Sequence, residues 1–70
     1  MNWTPDAMDR LERAITESAR IQILRRGTEY VLIPREIDST GSAEVLLGTT
    51  VAGDDLRFRL DEIDRFSVIR

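Results

Sequence analysis

The sequence predicts an α+β fold in which one N-terminal amphipathic helix leads into a small, strongly bent antiparallel β-barrel of four to five strands. Three observations carry that prediction: a helix-start signal at Thr4-Pro5, a change of hydrophobic period from helical to alternating near Arg20, and glycine-containing turns that cut the remainder into short segments. At 70 residues the chain has room for one hydrophobic core, so residues 1–70 read as a single domain, helix over about 5–19 and barrel over about 20–70.

The helix is the best-marked element. Thr4 suits the N-cap, where its hydroxyl can accept a free backbone N–H, and Pro5 suits the first helical position, where its missing donor is harmless. Trp3 and Met8 stand at the spacing of a hydrophobic staple, and Asp6 places a carboxylate near the positive end of the helix dipole. Met8, Leu11, Ile15 and Ser18/Ala19, with Ala14 alongside, form one stripe for the core, while Arg10, Arg13 and Glu17 face water. Asp6 with Arg10, and Asp9 with Arg13, are i,i+4 pairs on the exposed side.

Four strands are expected at Arg20–Arg26, Tyr30–Ile37, Ala43–Val51 and Leu56–Leu60, joined by turns at Gly27-Thr28, Asp38–Ser42 and Ala52–Asp55. Asp61–Asp64 reads as one helical turn, and Phe66 and Val68 alternate into a last strand that ends near Arg70 and pairs with the first. Pro34 cannot donate to a ladder, so it marks an edge or bulge in the second strand. Pairing Val51 with Leu56 sets Thr49 against Phe58 and Leu47 against Leu60. This register turns Val45, Leu47, Val51, Leu56, Phe58 and Leu60 inward, joined by Ile21, Ile23, Val31, Ile33 and Ile37. Leu24, Leu32 and Leu46 then fall on the outer face, where the helix or a partner chain must cover them.

Composition excludes several chemistries. With no cysteine and no histidine, the chain lacks disulfides, thiolate nucleophiles, imidazole bases and the usual zinc and haem ligands. Ser39, Thr40 and Ser42 lie in one turn, where such residues are expected for backbone reasons. The acid pairs at Asp54-Asp55 and Asp61/Glu62/Asp64 also fall in turns, and Asp38-x-Thr40-Gly41-x-x-Glu44 lacks the alternating acids of a calcium loop. The isolated glycines form no phosphate loop. The reading is therefore of a non-enzyme without cofactor or metal. The polar stretch after Met1 and the short aliphatic runs point to a cytoplasmic protein with no membrane partner.

The formal charge of −3 opposes non-specific nucleic-acid binding, yet all ten basic residues are arginine, through coding bias or selection for bidentate anion contacts. Arg57 and Arg59, alternating around Phe58, present two guanidinium groups on one strand face; cross-strand pairing with Glu36 or Glu44 would use them as well. Arg25, Arg26, Arg57 and Arg59, with Tyr30 for stacking, are the candidate ligand-binding residues for a single-stranded nucleic acid or a small anionic ligand. Leu24, Leu32 and Leu46 are the candidate face for a protein partner or homodimer.

In element order the chain resembles the WYL domain, an SH3/Sm-like barrel attached to many bacterial transcription regulators. The likeness rests on Leu11-x-x-Ala14-Ile15, Ile21-x-Ile23, Val31-x-Ile33-Pro34-x-x-Ile37, Leu46-x-Gly48 and Phe58-Arg59-Leu60-Asp61-x-Ile63. The tripeptide that names the family falls at Glu44-Val45-Leu46, where only the leucine is kept, and of the family's arginines around the last motif only Arg59 is present. What the resemblance implies is a module that senses nucleic acid or a nucleotide-like ligand and biases a neighbouring domain.

Overall fold

A computed structural model describes residues 1–69, which run α1 (Pro5–Glu17), β1 (Ile21–Arg25), β2 (Thr28–Asp38), β3 (Val45–Thr49), β4 (Asp55–Arg59), a 3₁₀ turn (Leu60–Glu62) and β5 (Arg65–Val68). This is the α+β arrangement expected, one helix followed by an antiparallel sheet in the order β4-β3-β2-β1-β5. The last strand pairs with the first, Ile23 opposite Phe66, as the sequence predicts; it ends at Val68, and Arg70 lies outside the described residues.

The N-cap is formed as read: Thr4 Oγ1 accepts the Ala7 N–H at 3.1 Å. The helix stops at Glu17 rather than 19, because Ser18 turns left-handed at φ 54° and the Ala19 N–H returns to the Ala14 carbonyl at 2.9 Å. The buried stripe is centred on Ala7, Leu11 and Ala14, with Met8 and Ile15 half-buried beside it; Ser18 is exposed. Both i,i+4 pairs are present, Asp6 to Arg10 at 3.6 Å and Asp9 to Arg13 at 2.9 Å. Trp3 stacks on Phe66 with ring centroids 5.3 Å apart and donates its Nε1–H to the Leu60 carbonyl at 2.8 Å, which ties the helix entry to the end of the sheet.

β2 is the hinge of the sheet. Its first part, Thr28–Leu32, pairs with β1, and its second, Ile33–Asp38, pairs with β3, with a bulge between Pro34 and Glu36. The bulge adds a residue and bends the strand, so Leu32 and Ile37 reach the same core although they are an odd number of positions apart. β1 and β2 are joined by Arg26-Gly27, both at positive φ (51° and 79°), the requirement of a type I′ hairpin, rather than by Gly27-Thr28. Arginine is strained there, so Arg26→Asn should raise stability by roughly 0.5–1 kcal/mol in urea unfolding.

The expected face assignment is reversed in β3 and in β2 before the bulge, while Ile37, beyond the bulge, keeps the inward place expected of it. Leu46, not Thr49, stands opposite Phe58, and Gly48, not Val51, stands opposite Leu56. The predicted register is off by three positions, and an odd slip exchanges the two faces of a strand. The cause is the turn: Thr50 N–H bonds the Asp54 carbonyl at 2.9 Å, Gly53 N–H bonds the Thr50 carbonyl at 2.9 Å, and Gly53 sits at φ 94°, so the loop takes in Val51, which is 74% exposed. Leu32 and Leu46 are accordingly fully buried, while Val45, Leu47 and Ile33 are half-buried and Val31 is exposed. Ile21, Ile23, Phe58 and Leu60 face inward as expected, and Leu24 keeps its outward, half-buried place.

Candidate functional site

The five ligand-binding candidates fall into separate places. Arg25 continues the inward row of Ile21 and Ile23, so its side chain lies over the end of the core. Its guanidinium carbon is 5.0 Å from the Phe58 ring centroid and 5.3 Å from that of Tyr30, and it donates to the Tyr30 hydroxyl at 3.2 Å. The two rings meet edge-to-face at 5.0 Å. Arg25 therefore caps an aromatic pair, engaging one face of the Tyr30 ring and its hydroxyl.

Arg26 lies in the hairpin turn with its side chain exposed; its backbone N–H is held by the Asp64 carboxylate at 3.0 Å. Arg57 and Arg59 are exposed on the outward face of β4, as read. Arg59 pairs with Asp61 at 2.7 Å and Glu62 at 3.9 Å, neighbours in sequence, rather than with Glu36 or Glu44 across the sheet. Arg57 borders an open trough of about 380 Å³ with Arg35, floored by Leu47 and Leu56; Asp38 and Asp55 share the same walls, so it is locally neutral.

Within that trough Asp38 is held below the ordinary carboxylate value. Thr40 is the main cause, donating its hydroxyl at 2.6 Å and its backbone N–H at 2.9 Å to Asp38 Oδ1, with Arg57 adding a smaller favourable field. A depressed native pKa means that this contact contributes stability above the unfolded-state value, lost as pH falls through the native one. Thr40→Val should move the Asp38 titration upward in a carboxyl-carbon NMR pH series.

Leu32 and Leu46 are closed to any partner because they form the core; Leu24 alone of the three reaches the surface. The sequence reading missed a different surface, an open groove of about 630 Å³ between α1 and the second part of β2. Met8 and Ile15 of α1 and Ile37 of β2 line it, with Glu12, Glu36 and Glu44 among the residues around them. Its signal was present in the helix. Asp6 and Asp9 have arginines four positions on, whereas Glu12 has Met8 four before it and Thr16 four after it, at the margin of the apolar stripe.

No protein-family model matches the chain, and no curated protein matches it in sequence.

Proposed function

We propose that this chain is a non-catalytic binding module whose partner is another protein. What carries this reading is how the arginines are arranged: Arg25 lies against Tyr30 and Phe58, Arg59 is neutralised by Asp61 and Glu62, and Arg57 shares its trough with two aspartates. Those contacts break up the anion site, and the formal charge of −3 disfavours a polyanion further. The strand order, with a 3₁₀ turn between β4 and β5, supports the SH3/Sm-like barrel reading and, through it, the WYL-like one.

One observation favours the second reading, a nucleic acid or small anionic ligand as in WYL-like domains: Arg35 and Arg57 flank one apolar-floored trough. Fluorescence anisotropy with labelled single-stranded oligonucleotides at low salt separates the two. The protein-partner reading expects no saturation; saturable, salt-sensitive binding that Arg57→Ala abolishes would replace it with the second. A benzophenone amino acid introduced in place of exposed Thr16, Arg57 or Ser67 should likewise give nuclease-resistant, protease-sensitive adducts in the cells that express the protein. Self-association is read by sedimentation velocity over a concentration series.

A further inference from the structure

We infer that the groove between α1 and the second part of β2 is a peptide-binding site for an extended segment in which cationic and aliphatic residues alternate. The inference rests on the protein-partner reading above and names the surface and the chemistry of the partner.

Three features of the groove converge. First, β2 pairs with β1 only as far as Leu32 and with β3 from Ile33 onward, so along Ile33–Asp38 the side of β2 away from β3 carries no strand among the described residues. A strand edge of this kind offers main-chain groups to an added strand. Pro34 lacks a donor and the bulge twists the chain beside it, which confines pairing to the short stretch after Pro34.

Second, the walls are apolar and incompletely covered: Met8 and Ile15 on α1 and Ile37 on β2 are all half-buried. Met8 and Ile15 are about 10 Å apart along the helix axis, the length of about three residues of extended chain.

Third, the charge is one-sided. Among the described residues the helix arginines pair with Asp6 and Asp9, and Arg59 with Asp61 and Glu62, leaving the carboxylates of Glu12, Glu36 and Glu44 without an ion pair. Arg35, the one cation lining the groove among the described residues, is drawn toward β3 by the bond from its Nε–H to Thr49 Oγ1 at 3.3 Å. Glu36 and Ile37 are neighbours on a strand and point to opposite faces, which is why the complementary segment alternates: aliphatic side chains toward Ile37, cations toward Glu36.

The test is an amide-shift NMR titration of the full chain with a blocked hexapeptide of alternating lysine and valine, against a control of alternating glutamate and valine. The lysine peptide should saturate with shifts confined to residues 8–16 and 33–39, and Glu12→Gln with Glu36→Gln should weaken it about tenfold. Both glutamates are exposed and, among the described residues, make no ion pair, so the double variant should retain the amide spectrum of the folded chain. Equal response to both peptides, shifts on another face, or no saturation in the millimolar range overturns the inference. Failure here is separable from failure of the protein-partner reading: protein adducts formed only away from Thr16 sink the groove and leave that reading standing, whereas nuclease-sensitive adducts sink the reading itself.

Discussion

Truncating Leu46 to alanine is expected to cost about 2–5 kcal/mol of folding free energy, and truncating its neighbour Leu47 about 1 kcal/mol or less. Leu46 is 0% exposed and stands opposite Phe58, so its loss leaves a cavity that the surrounding strands can close only in part. Leu47 points outward, half-buried, between Glu36 and Arg57. A domain of this size has a stability near or below about 5 kcal/mol, so the first variant should be largely unfolded without denaturant while the second keeps a clear urea transition. Equal losses, or a larger loss at Leu47, would show that β3 presents its other face to the core.

Gly48→Ala is expected to cost about 1–3 kcal/mol, and Gly48→Val more. Gly48 faces inward between Pro34 and Leu56, where a Cβ would lie 2.8 Å from the Ile33 carbonyl oxygen and against the buried Leu32 Cδ1. The carbonyl belongs to the strand next to the bulge and cannot withdraw without disturbing the ladder that bends β2. Gly41→Ala is the control, because its nearest neighbour is the Ala43 carbonyl at 4.0 Å, and it should leave the urea midpoint almost unchanged. Equal effects at the two glycines would mean that β2 and β3 do not approach as closely as their register requires.

The candidate site was legible in the sequence only in part. Exposure of Arg57 and Arg59 followed from alternation on a single strand, which is local information. The contact of Arg25 with Phe58 was not legible, because it joins the end of β1 to β4 across the interior and depends on which face of β4 is inward. Pairing of Arg59 with Asp61 and Glu62 depended on the chain turning into a 3₁₀ helix immediately after β4, which brings near neighbours closer than any cross-strand acid. The groove was half legible: Glu12 stands out among the acids of α1, but the wall it faces is set by the bulge in β2.

What the chain specified locally was the elements themselves. The Thr4-Pro5 cap, the helical stripe around Leu11 and the alternation of Ile21 and Ile23 each act over a few residues and are realised, and the glycine turns form with shifted bounds, the first at Arg26-Gly27 and the last taking in Val51. What only the tertiary structure decided was register: the length of the turn after β3 and the extra residue at Pro34–Glu36 determine whether Leu32 and Leu46 lie inside or out. With apolar residues at Val31, Leu32 and Ile33, and again at Val45, Leu46 and Leu47, either face of β2 or β3 could supply the core by composition alone. The choice falls to the packing of Leu32, Leu46, Phe58 and Leu11 in one buried cluster, a long-range balance that no single segment encodes.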